Sequence, residues 1–185
     1  AKALRLLLKG NAVVVEWLQS PILYTAQPWF RDEMLAFADQ WLDRDAVLTH
    51  YLHLGRRQQI LYLSDQTEVS LKKLFYVLRP AMALRWLRLN PEKAVAPMHL
   101  PTLMAGCDLP GDLAGVIEGL RSRKAITREM GTGALPDGML GFVEGEFAAV
   151  NVFERPSGGR SAAAIEAADA LFARVTIRLD DLSSA

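Results

Sequence analysis

A single cysteine, Cys107, is all the sulfur-ligand chemistry this chain of 185 residues has to offer. It excludes an internal disulfide and any zinc site built on several thiolates, and fits a reducing compartment. No apolar run approaches the roughly 20 residues that a membrane-spanning helix requires. The first ten residues lack a signal-peptide core followed by a small-residue cleavage site. Neither sign of charge is in excess, with 21 Lys and Arg against 21 Asp and Glu. That balance excludes a general polyanion binder, so contact with nucleic acid would have to be a local patch. These absences describe a cytoplasmic protein with no membrane partner. What is present is apolar residues at 51%, enough for a real core.

One stretch lacks something more specific. Leu71 to Arg88 reads LKKLFYVLRPAMALRWLR, a helical pattern with five cations and no carboxylate. Lys72, Tyr76 and Arg79 share one face at helical spacing, and Leu71, Phe75 and Leu78 share another. Cations without internal counter-charge suit a phosphate-bearing partner, with arginine as a bidentate fork and lysine as a compact charge. The bland alternative is a solvated stripe. Pro80 lacks an N–H and should kink or restart this helix. Arg85 and Arg88, beyond it, read as ordinary surface residues.

Elsewhere the pattern is mostly helical. Lys2–Lys9 reads as a helix closed by Gly10-Asn11. Pro28 suits the first turn of a helix reaching about Leu42. A helix from about Ala46 to Leu63 should turn Tyr51, Leu54, Ile60 and Leu61 inward, with Arg56 and Arg57 outward. Ser64 or Asp65 should cap the next helix, with Glu68 near its positive end. NPEKAVAPMHLP reads as a loop before helices around Leu109–Arg128 and Gly138–Val150. ERPSGGRS reads as a linker, and Ala162–Leu182 as an Ala-rich helix with Ile165, Leu171, Phe172 and Ile177 free to dock. The exception is AVVVEWL (Ala12–Leu18). Its β-branched, two-sided apolar character reads as a central strand, followed by a second short run, ILY. A lone central strand needs partners, so the sheet is expected to continue upstream of Ala1. The fold class is therefore mostly α (α+β), with one or two strands ahead of a helical domain.

Glu16 is the suggestive acid, since a charge among three valines and a tryptophan must be paired, protonated or metal-bound. The competing reading is an edge-strand glutamate facing water. His50 and His53 stand i, i+3 but lack a third ligand of matching type nearby. His99 has no assigned role. Cys107 has no evident catalytic partner. Gly131 and Gly133 imitate a phosphate loop only superficially, because they follow a helix and lack the Lys-Ser/Thr ending. Trp17, Trp29, Trp41 and Trp86 read as packing residues, any one of which could instead stack on a base.

Two ordered stretches resemble a known family. KALRLLLKGNAVVVEWLQSPILY (Lys2–Tyr24) and VSLKKLFYVLRPAMALRWL (Val69–Leu87) look like the nucleotidyltransferases of the DNA polymerase β superfamily associated with RNA repair. The family pattern runs through Lys-x-Asn, a Glu-Trp-Leu strand, a Ser-Pro turn and a Lys-Lys-x-x-Tyr-x-x-Arg-Pro helix, and every position matches. The resemblance covers at least Lys2–Pro97. It implies that residues 1–26 end a nucleotidyltransferase core and that 27–185 form a helical domain. It further implies transfer of a nucleoside monophosphate from an NTP to an acceptor hydroxyl, an RNA end among the candidates, with Mg²⁺ as cofactor. Glu16 then takes the third carboxylate's place as catalytic and metal-binding residue. Lys72, Lys73, Tyr76 and Arg79 become nucleotide-binding. The family's front-half pair, a Gly-Ser turn with an Asp-x-Asp just downstream of it, is not found here (Asp43-Arg44-Asp45 follows no Gly-Ser), so this chain alone should be inactive. The alternative is a non-enzymatic helical module that binds RNA or protein.

Overall fold

The computed structural model describes residues 1–22, 27–63, 68–126, 131–150 and 161–183. In chain order the elements are α1 (Lys2–Leu7), α2 (Ala12–Leu18), α3 (Pro28–Trp41), α4 (Arg44–Leu63), β1 (Val69–Ser70), α5 (Leu71–Leu89), α6 (Leu100–Ala105), α7 (Gly111–Ile126), β2 (Thr132–Gly133), α8 (Met139–Ala149) and α9 (Ala162–Ser183). The fold is mostly α, as expected. Its strands, however, are β1 and β2, a two-residue antiparallel pair matching Val69 with Gly133 and Ser70 with Thr132.

AVVVEWL is not a strand but helix α2, and the residues just before it explain why. Asn11 N–H donates to the Leu6 carbonyl at 3.0 Å and Gly10 N–H to Leu7 at 2.8 Å, a Schellman closure of α1. Gly10 sits at φ +72°, and a Cβ there would stand 2.5 Å from Ala46 Cβ, so only glycine allows α1 to turn against α4. The Asn11 side chain then accepts from Val13 N–H at 3.0 Å and caps α2. With the cap set, Ala12, Val14 and Val15 bury as a helical face. Packing and capping outweigh the strand preference of three valines, whose intrinsic helix penalty is only a few tenths of a kcal/mol each, roughly. Most of the ILY run lies outside the described residues, as do Ser64, Asp65 and nearly all of ERPSGGRS.

Helix α5 is the axis of the larger core. Leu74, Val77, Leu78, Ala81, Met82, Ala83, Leu84 and Leu87 are all buried, so most of its circumference is enclosed. It packs on α4, α6 and α8, with Ile117 of α7 in the same cluster. Pro80 falls inside α5 without ending it. The smaller core joins α1, α2, α3 and α9 through Leu7, Val15, Met34, Phe37 and Leu171. In α9 the inward face is Ala164, Ala168, Leu171 and Val175 at i, i+4, i+7, i+11. Ile165, Phe172 and Ile177 are exposed, as are Ile60 and Leu61 of α4, against expectation for the α4 pair. Helix α6 begins on the last two residues of the stretch read as a loop, Leu100 and Pro101, and runs on to Ala105. Among the described residues no helix is long and apolar enough to cross a membrane.

Candidate functional site

Three helices meet at Glu16. Helix α4 presents Tyr51, Leu54, Gln58 and Tyr62 at i, i+3, i+7, i+11, which is one face. Helix α5 faces it with Phe75, Tyr76, Arg79 and Pro80, and Glu16 of α2 completes a cleft of about 250 Å³. Tyr51 Oη donates to Glu16 Oε1 at 3.0 Å, and Arg79 Nε donates to the same oxygen at 3.2 Å. Arg79 Nη1 also donates to the Met98 carbonyl at 2.7 Å. Met98 N–H in turn donates to Gln19 Oε1 at 2.8 Å, tying that loop back to the end of α2. The guanidinium is thus held at two corners while its residue lines the cleft, which fixes its plane before any ligand arrives.

The sequence pointed to Glu16, Tyr76 and Arg79, and the structure brings all three into one cleft. Glu16 arrives there from a helix rather than a strand. Lys73 is close by, its Nζ 4.7 Å from the centroid of the Tyr62 ring. That ring lies 6.0 Å from Tyr76, tilted at 44°. Lys72 is exposed one turn before Tyr76. Sequence reasoning missed Tyr51 as a partner of Glu16, and it missed Gln58 and Tyr62 altogether. The signal was present in the i, i+3, i+7, i+11 stripe of α4, but polar and aromatic residues on it broke the apolar periodicity. It also missed Lys124 of α7, whose Nζ stands 5.1 Å from the centroid of the cleft-lining Phe75.

Burial pushes the Tyr51 phenol well above its usual pKa, and the Glu16 charge and hydrogen bond push the same way against Arg79. Tyr51 is therefore a fixed hydrogen-bond donor at neutral pH rather than a base. Burial also holds the neighbouring His50 below its usual 6.5, with Glu16 raising it and His53 lowering it further. His50 Nε2 is buried without a hydrogen-bond partner. His99 Nδ1 lies 3.0 Å from Thr102 Oγ1 in the first turn of α6.

The residues present do not by themselves fit a Mg²⁺ site. Among the described residues Glu16 is the single carboxylate lining the cleft, and its Oε1 is shared by a phenol and a guanidinium. Mg²⁺ prefers several oxygen ligands in octahedral array. Among the described residues no group of three or more His, Cys, Asp or Glu side chains converges.

Other expectations are corrected away from the cleft. Arg85 and Arg88 are not idle surface residues, since both bind Glu146 of α8. Trp17 is exposed, not packed, with 71% of its surface accessible. Cys107 is buried and its Sγ donates to the Met82 carbonyl at 3.2 Å. Burial moves its thiol up to about 12, which leaves it protonated and inert.

Over residues 1–174 the sequence matches a protein family described as RlaP, the RNA repair pathway DNA polymerase beta family. It is also similar to a Bacillus subtilis (strain 168) protein named "Uncharacterized protein YcgL", with 32% identity over 145 residues. That match covers 78% of this chain and 55% of the relative, so the chain spans about half of that protein's length. No solved structure matches.

Proposed function

The chain belongs to the RNA repair pathway DNA polymerase beta family, and from that premise we propose that it is the C-terminal portion of a nucleotidyltransferase. The whole protein would move a nucleoside monophosphate from an NTP to an acceptor hydroxyl, an RNA end being the acceptor the family name favours. In this reading residues 1–26 close the transferase core and 27–185 form the helical domain. The cleft between α4 and α5 holds the nucleotide. Arg79, braced by Glu16 and the Met98 carbonyl, is the observation that carries the reading. A preset guanidinium beside aromatic walls suits a phosphate joined to a base. Lys73 and Lys72 add charge along the same face.

Mg²⁺ enters as a cofactor of the whole protein, where its function would be to neutralise charge developing on the transferring phosphoryl group. Glu16 can contribute to such a site only if further carboxylates come from elsewhere and Arg79 gives way. What the residues of this chain do is narrower. Tyr51 and Arg79 hold the Glu16 carboxylate in place, and the rings of Tyr62, Phe75 and Tyr76 line the cleft.

Two assays test the proposal. Incubated with Mg²⁺, labelled NTP and RNA, the 185-residue chain should transfer nothing above background. A longer form carrying the Gly-Ser and Asp-x-Asp motifs upstream should be active, and should lose that activity with Arg79→Ala. Transfer by the short chain, or an indifferent Arg79→Ala in the longer one, sinks the reading. A second reading, a helical RNA-binding module without catalysis, is favoured by the pairing of the cleft's one carboxylate with Arg79. It predicts RNA affinity that falls steeply with salt and disappears when Lys72, Lys73 and Arg79 are replaced together.

A further inference from the structure

Gln58 carries an anomaly that the proposed chemistry does not use. It lines the cleft on α4, one turn from both Leu54 and Tyr62. Its Oε1 is buried and accepts no hydrogen bond. Buried amide oxygens are nearly always satisfied, because stripping one of water without a replacement donor is costly. Gln58 Nε2 is not stranded in the same way, so what is missing is a donor. Of the other donors lining this cleft, Tyr51 and Arg79 are already directed at Glu16 and Met98, and neither the Tyr62 nor the Tyr76 hydroxyl donates to Gln58 Oε1.

The shape of the cleft says what could bring that donor. At about 250 Å³ it falls short of the roughly 300–1,000 Å³ of pockets that enclose a drug-sized ligand. A nucleobase fits such a space, while a charged polyphosphate tail has to lie outside it. Tyr62 and Tyr76 offer ring faces for stacking. Lys73 over Tyr62 and Lys124 over Phe75 place ammonium groups beside rings of the cleft wall, where a tail would emerge.

We infer that Gln58 is the base-reading residue of this cleft, its Oε1 accepting from the exocyclic amine of adenine or cytosine. The inference rests on the cleft being a nucleotide site. Adenine N6 and cytosine N4 are donors, whereas guanine O6 and uracil O4 are acceptors at the corresponding edge. At that edge a keto base sets oxygen against oxygen, and it satisfies Gln58 only by shifting to offer guanine N1–H or uracil N3–H, or by turning the amide over.

Isothermal titration of the chain with ATP, CTP, GTP and UTP at one salt concentration tests this directly. ATP and CTP should bind about tenfold more tightly than GTP and UTP, the effect of one hydrogen bond made or left unmade in a buried site. In Gln58→Leu the four affinities should converge to within about twofold, with the helical circular dichroism unchanged. Equal affinities in the unmodified chain, or a preference for GTP and UTP, overturn the inference and leave the nucleotide site standing. So does a preference for ATP and CTP that survives Gln58→Leu. Binding of none of the four removes the inference together with the proposed site.

Discussion

Helix α5 grips two carboxylates with its arginines, and the grips are built differently. Glu146 of α8 is held by Arg85 and Arg88 together. Arg85 Nη1 reaches Oε1 at 2.8 Å, Arg88 Nη2 reaches Oε1 at 2.9 Å and Oε2 at 3.0 Å, and Arg88 Nε adds a contact to Oε2 at 3.3 Å. Arg85 also donates to the carbonyls of Cys107 and Asp108, the latter held at φ 46°. Glu16 of α2 has one arginine, Arg79, which stands six residues before Arg85 on α5, and a phenol, both on Oε1; among the described residues its Oε2 takes no hydrogen bond. Side-chain exposure follows the same order, 7% for Glu146 and 17% for Glu16. A carboxylate with both oxygens occupied has nothing left to offer and serves as a lock. A carboxylate with one oxygen spare, beside a cleft, keeps capacity for a ligand.

The comparison breaks most visibly at the lock. Glu146→Ala leaves two partly buried guanidinium groups without a counter-charge and should cost about 3–5 kcal/mol in urea denaturation. Nucleotide affinity of the remaining folded protein should change little. Arg79→Ala should do the reverse, lowering nucleotide affinity by roughly tenfold to a hundredfold in titration calorimetry while costing only about 1–2 kcal/mol of stability. Should Glu146→Ala and Arg79→Ala behave alike in both measurements, the distinction between lock and site fails.

Two smaller effects sharpen it. His50, beside the Glu16 cluster, is held below 6.5 chiefly by burial, so the unfolded chain binds its proton more readily than the folded one. Its contribution to stability is complete above 6.5 and is lost as pH falls through the lowered folded value. Melting temperature should therefore drop on acidification below 6.5, and His50→Gln should flatten that dependence. Cys107, on the lock side, should resist thiol reagents at neutral pH in the native protein and react at once in denaturant, since its thiol titrates only near 12. Fast native labelling would show that the segment under Arg85 opens.

Much of this was readable in the chain. The Leu71–Arg88 pattern gave α5 and the face bearing Tyr76 and Arg79, because a long run with strong 3.6 periodicity leaves little room for another structure. Glu16 stood out because a charge among valines demands a partner, and it has two. The strand assignment failed on capping: Gly10 and Asn11 decide α2, and their effect depends on Ala46 lying against them, a contact some 35 residues away. Arg85 and Arg88 were misread for a similar reason. Their counter-charge, Glu146, is remote in sequence and reaches them only once α8 packs on α5. Gln58 and Tyr62 were hidden because a cleft-facing stripe is not uniformly apolar, so it does not look like a core face.

Gly55 joins the two grips. It follows the cleft-lining Leu54 on α4, and a Cβ there would come within 2.3 Å of Phe147 Cζ and 3.2 Å of Pro80 Cβ. Phe147 follows Glu146 directly, and Pro80 follows Arg79. One missing methyl therefore lets three helices nest at a single crossing point, with the acid-clamping end of one and the ligand-facing wall of another bearing on the same spot. Enlarging that residue would wedge the bundle apart at its pivot, and both arginine systems would register the disturbance at once.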